Sequence, residues 1–244
     1  MWYLGYPEEA LREADHALED ARKIGQAATT MVALACAAWT RRLCRRYAAA
    51  GSLADELVAL ADEKGGAYWK ALGTMMQGDL LALTGKASVA VQKIASGVTA
   101  QRSTGATLLI PSFLTSLARA CADLGRFDDA RRYFDEATMA VEATKERLLE
   151  AEIRRIAGEV ALLSPQPDAA KAEAYFQRAL AVSRQQQTRS CELRAAMSLA
   201  RLWRDQGKPQ QARELLAPVY GWFTEGFDTR DLKEAKALLD TLAA

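Results

Sequence analysis

The chain holds a single histidine, His16, flanked by Asp15 and Ala17 in a helical pattern. With no second imidazole and no Cys-x-x-Cys pair, the spacing of a His- or Cys-built metal site is missing, and a lone helical His reads as a surface residue. The four cysteines (Cys36, Cys44, Cys121, Cys191) lie inside apolar helical patterns and read as small buried hydrophobes in a reducing compartment. The run GDLLALTGKAS (78–88) has the Gly-Lys of a phosphate loop. Such a loop needs four residues between its glycines and Ser or Thr after the lysine. Here six residues separate Gly78 from Gly85, and Ala87 follows Lys86, so the run reads as a turn. The acids Glu8, Glu9 and Glu13, and Asp128 and Asp129, follow turns, where they favour the positive end of a helix dipole. No catalytic, cofactor-binding or metal-binding residue is expected. The remaining chemistry is that of arginine, whose planar fork holds carboxylates bidentately: Arg41, Arg45, Arg119, Arg155 and Arg201.

The elements that would position these arginines are helices. Of 244 residues, 50% are hydrophobic, only 7% are aromatic and 26% are charged, with a net charge of +1. That composition favours helix and supplies a sizeable core. The near-neutral balance gives no general argument for nucleic acid or membrane surface. The longest apolar stretches, such as MVALACAAW (31–39), are too short to span a bilayer, and no secretory signal opens the chain. A cytoplasmic protein is expected, with neither nucleic acid nor membrane as partner.

Turn-like segments recur: LGYPEEA (4–10), AGSLADE (50–56), TGKASVA (84–90), LGRFDDA (124–130) and QGKPQQA (206–212). Their glycines, Gly5, Gly51, Gly85, Gly125 and Gly207, would end one helix in the left-handed conformation. A further turn, SPQPDAAKAEAYF (164–176), has prolines in place of glycine. Apolar residues before and after each turn fall at helical spacing: Leu114, Leu117, Ala118, Cys121, then Ala130, Phe134, Ala137. Small residues at fixed places let helix pairs approach closely.

These anchors resemble the tetratricopeptide repeat, most clearly in LTSLARACADLGRFDDARRYFDEA (114–137). The expected fold is all-α, a right-handed superhelical solenoid of antiparallel helix pairs. A half repeat (1–25) precedes repeats 27–64, 67–103, 107–143, 145–187 and 190–224, and a cap helix (228–243) follows, all in one domain. The expected pairs are 27–49 with 53–64, 67–84 with 87–102, 110–124 with 127–143, 146–163 with 168–186, and 190–206 with 209–223. Helix 7–24 has no partner before it. It reads as the remainder of a longer array, or as a true start capped by Trp2, Tyr3 and Leu4; its apolar face could pair two copies.

The last quarter is more specific. ELRAA, SLARLW, LLAPVYGWFTEGFDT and DLKEAKALL, all within 192–242, resemble the C-terminal end of large bacterial signalling proteins. In that family a cyclase-type or DNA-binding domain and an ATPase module precede tetratricopeptide-like repeats. The resemblance implies a regulatory repeat region without catalysis of its own, with upstream domains as partners. The aromatic run 220–227 reads as the junction between array and cap, or as a ligand pocket.

In tetratricopeptide arrays the first helices line a concave face. Arg41, Arg45, Arg119, Arg155 and Arg201 then form a basic majority there, beside Asp79 and Glu159. They would bind an acidic peptide or an acidic surface of upstream domains, or else form a solvated face of weak ion pairs. A free-standing adaptor for acidic peptides is the alternative; an enzyme lacks a nucleophile–base pair.

Overall fold

A computed structural model describes residues 1–243. Among them are a single 3-10 turn, Trp2–Leu4, and α-helices only. The first seven helices are α1 Pro7–Ile24, α2 Ala27–Leu43, α3 Tyr47–Glu63, α4 Ala67–Leu83, α5 Ala87–Ser103, α6 Ile110–Asp123 and α7 Phe127–Thr144. The remainder are α8 Glu150–Leu163, α9 Ala169–Gln185, α10 Arg189–Asp205, α11 Pro209–Tyr220 and α12 Arg230–Thr241.

The stops that cut this helix-rich chain recur with a strict period. Left-handed residues stand every 20 positions from 5 to 145, at Gly5, Gly25, Arg45, Gly65, Gly85, Gly105, Gly125 and Lys145, with Leu109 an additional one at the start of α6. A helix pair is therefore 40 residues long. The expected turn at Gly51 is wrong: Gly51 lies inside α3, which starts at Tyr47 rather than 53. The break falls at Arg45, a non-glycine residue with φ 56°. An arginine there carries a Cβ penalty that glycine avoids, and without a glycine the break leaves no mark in the sequence. After α8 the period is broken by Ser164–Asp168, where Pro165 and Pro167 stop the helix without a left-handed residue. Asp168 then caps α9 by accepting a hydrogen bond from the Lys171 N–H at 2.8 Å.

Packing divides the chain into two units. The first comprises Glu9–Glu146. In it α2 packs on α3, α4 on α5 and α6 on α7, while α2, α4 and α6 touch in succession. The second comprises the chain from Arg147 onward together with Met1–Glu8. In it α8 packs on α9 and α10 on α11, and α10 touches both α8 and α12. This is the tetratricopeptide-like arrangement of consecutive helix pairs.

The small anchors read from the sequence are buried: Ala130, Ala137, Ala172, Ala179 and Ala212 have no exposed surface, and Phe176 fills the gap beside two of them. Close approach is literal at Gly78 of α4, where a Cβ would lie 2.9 Å from the backbone nitrogen of Ile94 in α5. In α12, Leu232, Ala235 and Leu238 are buried, as is Leu242 just past its end, as a cap requires, while Leu239 is partly buried. In helix α1, Ala10, Leu11, Leu18 and Ala21 are buried, Ala14 is half-buried, and Ala17 and Ile24 are exposed.

Candidate functional site

The five arginines of the expected groove fall in different settings. Arg41, on α2, is mostly buried and ion-pairs with Asp15 of α1. Arg45 is the left-handed turn residue between α2 and α3. Arg119, on α6, donates to Asp123 one turn later at 2.9 Å. Arg155 and Arg201 belong to the other unit, on α8 and α10. Arg155 donates to Glu152 at 2.7 and 2.9 Å and ion-pairs with Glu159. Arg201 pairs with Glu234 of α12 at 3.2 Å. Arg41, Arg119, Arg155 and Arg201 thus hold carboxylates of their own chain. Burial works against the charge on Arg155, yet Glu152 and Glu159 outweigh it and hold the guanidinium protonated.

Two buried polar seams run where the even-numbered helices meet. In the first unit, Arg42 of α2 donates to Asp79 of α4 at 2.5 and 3.2 Å, and Ser116 of α6 donates to the same carboxylate at 2.5 Å. The Arg42 guanidinium also lies 5.0 Å from the centre of the Trp39 ring, which meets Phe113 edge-on. Asp79 is 2% exposed, so these donors stand where water would otherwise satisfy its oxygens. In the second unit, Arg194 of α10 donates to Asp231 of α12 at 2.8 Å and lies 3.7 Å from Glu152 of α8. Burial again opposes the Arg194 charge, and Asp231 and Glu152 outweigh it. Every residue from Ser190 to Ala200 is buried, which makes α10 the central helix of its unit. Beside the seam, burial pushes the Cys191 thiol up to about 12 and leaves it unreactive. The expectation for the other cysteines holds at Cys44 and Cys121 and fails at Cys36, which is exposed. His16 is exposed as well.

Sequence reasoning missed the most elaborate site. The residues Met1–Glu8 pack on the α10 face and on the connection between α11 and α12. Trp2 is 5% exposed, its ring 4.6 Å from the Arg194 guanidinium. The Ser190 hydroxyl donates to the Trp2 carbonyl at 2.6 Å. Gly5, with φ 94°, sits so close to Trp222 that a Cβ would come within 2.4 Å of the ring. Tyr6 meets Trp222 edge-on, and Arg189 covers Trp222 at 5.2 Å. Pro7 lies against Gly226, where a Cβ would come within 2.3 Å of the proline ring. A reciprocal pair closes the contact: the Glu8 N–H donates to Glu225 at 2.9 Å, and the Gly226 N–H donates to the Glu8 carboxylate at 2.7 Å. The aromatic run 220–227 is the junction to the cap, and it is also the seat of the N-terminal segment.

No protein-family model and no curated protein matches the chain. Solved structures do. The apo form of RapI superposes with a TM-score of 0.67 at 13% identity, over 98% of this chain and 80% of that one. BtubC from P. vanneervenii superposes with a TM-score of 0.58 at 16% identity, over 96% and 92%. The likeness is one of fold. Among the described residues no helix is long and apolar enough to cross a membrane, and no cluster of three metal-ligating side chains is found.

Proposed function

We propose that this chain is a protein-interaction scaffold: a helical-repeat array in the cytoplasm that holds segments of partner proteins and performs no catalysis itself. The observation that carries this reading is the seating of Met1–Glu8 on α10 and the α11–α12 connection. A short peptide-like segment is gripped there by the Arg194 guanidinium over its indole, by the Ser190 hydroxyl donating to its Trp2 carbonyl, and by reciprocal backbone N–H donations between Glu8 and the 225–226 turn. An array that holds its own segment in this way has the chemistry to hold another.

The resemblance of residues 192–242 to the repeat regions of bacterial signalling ATPases and cyclases supports a regulatory setting, with upstream domains as natural partners. In that setting residues 1–244 act as one repeat domain. An acidic peptide on Arg41, Arg45, Arg119, Arg155 and Arg201 is the alternative occupant. It would have to displace Asp15, Asp123, Glu234 and the partners of Arg155, so its binding would fall steeply with salt.

The test is capture from lysate with quantitative mass spectrometry, followed by reconstitution from purified components. The chain is compared with its Arg41→Glu/Arg45→Glu variant. A partner bound stoichiometrically by the purified chain supports the scaffold, and its loss from the variant would assign it to the arginine face. Absence of any partner that survives reconstitution would sink the scaffold reading.

A further inference from the structure

We propose that the α10 face and the α11–α12 connection form a sequence-selective socket for a segment of the type Trp-x-x-Gly-x-Pro-Glu, and that a partner's segment of this chemistry binds by displacing Met1–Glu8. This rests on the scaffold reading and names the partner class it lacks.

Each position of the segment meets a wall that selects for it. Trp2 covers a guanidinium already held by Asp231 and Glu152; an indole face is the best neutral group to cover a desolvated cation, and a carboxylate there would meet two others. The carbonyl after the indole is read by Ser190. Three residues on, only glycine fits. Its φ of 94° disfavours any side chain, and a Cβ would enter the Trp222 ring. Proline next-but-one lies on Gly226 and starts helix α1. The following glutamate accepts from the Gly226 N–H while its own N–H finds Glu225. The selection rests on one indole, one glycine, one proline and one acid. It involves none of the arginines of the expected basic groove.

The occupant is held by local contacts of eight residues, with Leu4 half exposed. Such a short segment can leave its seat while the α8–α9 and α10–α11 pairs stay packed. A competing segment would then meet α10 with its donors and its aromatic wall already in place, which lowers the ordering cost of binding.

The test uses the full chain with Trp2→Ala and Gly5→Ala, which vacates the socket, and a fluorescein-labelled peptide of residues 1–8, MWYLGYPE. Fluorescence anisotropy should show binding at least tenfold tighter to the vacated chain than to the wild type. Peptides carrying Trp2→Ala or Gly5→Ala should lose at least tenfold. Should the double variant lose its helical circular dichroism, the milder full-chain Trp2→Leu variant is read in the same assay. Equal binding to wild-type and vacated chains, no binding to either, or full binding of the Gly5→Ala peptide would overturn the socket. A peptide that binds as expected while no protein partner survives reconstitution leaves the socket standing and removes the scaffold. A reconstituted partner with the same affinity for wild-type and vacated chains overturns displacement and keeps the scaffold.

Discussion

In the α2–α4–α6 stack one arginine, one aspartate and one serine occupy the seam between helices. In the α8–α10–α12 stack the seam holds Arg155 and Arg194 with Glu152, Glu159 and Asp231. The two seams use the same spacing: Arg42 to Asp79, Asp79 to Ser116 and Arg194 to Asp231 are each 37 residues apart. That is one helical turn short of the 40-residue period. Neighbouring even-numbered helices therefore meet at offset rather than equivalent positions. The difference lies in what closes each seam. The first carries Trp39 on its arginine, with Phe113 edge-on to that ring. The second is overlaid by Trp2, a residue far away in the chain. A seam covered by its neighbours in sequence fixes register; one covered by a distant segment also ties that segment to the stack.

Single substitutions should separate the two. Asp79→Leu strands Arg42 in an apolar seam and is expected to cost about 3–5 kcal/mol, a fall in melting temperature on the order of 10 °C. Arg42→Met/Asp79→Leu should recover most of it, because an apolar replacement of a whole buried pair is often neutral. Arg194→Met should cost a similar ~3–5 kcal/mol. In that seam Arg194→Met/Asp231→Leu should recover far less, since Glu152 and Arg155 stay behind. Thermal melts of the four variants decide this. Equal recovery in both seams would erase the distinction.

A second contrast concerns the turns. The first unit keeps the 20-residue beat with glycine except at Arg45 and Lys145, and the second departs from it at the Pro165–Pro167 turn and at Gln187. Arg45→Gly and Gln187→Gly should each stabilise by up to about 1 kcal/mol, read by chemical denaturation, because a side chain at positive φ carries that order of strain. A loss in either case would mean that the side chain's contacts outweigh its backbone.

The smallest effect expected is one of pH. Glu146 accepts a hydrogen bond from the Leu109 N–H at 3.1 Å, but burial dominates and holds its carboxyl above the ordinary value of 4.5. In the window between 4.5 and that raised value the folded chain binds more protons than the unfolded one. Stability from this group therefore rises as pH falls from neutral through the window. Glu146→Gln should flatten that slope in melts recorded across mildly acidic pH; an unchanged slope would exclude Glu146 as its source.

Helix type, helix pairing and the small anchors were legible because apolar spacing and glycine stops act locally. Gly5, Gly25, Gly65, Gly85, Gly105 and Gly125 already spell the 20-residue beat. Arg45 concealed it, and Gly51 offered a false stop inside a helix. The first seam was half visible. Asp79, a single acid inside the apolar run Met75–Leu81, calls for a buried donor, and Arg42 stands 37 residues before it. Attention to Arg41 and Arg45 followed the surface, whereas the packing used Arg42. The seat of Trp2 was not legible. It joins residues 188 positions apart in sequence, at Ser190 and Trp2, and no local periodicity encodes a contact of that range. The only hint was composition: a Trp-Tyr pair before a Leu-Gly turn, and a second aromatic run near the other end.

The claim that Trp2 seals the second seam is tested most directly by a double-mutant cycle on Trp2→Ala and Arg194→Met, with stability measured by urea denaturation of all four chains. A desolvated cation–aromatic pair predicts a coupling of at least about 1 kcal/mol. Two losses that simply add would show that the indole and the guanidinium do not sense each other, and that Met1–Glu8 is not seated on α10.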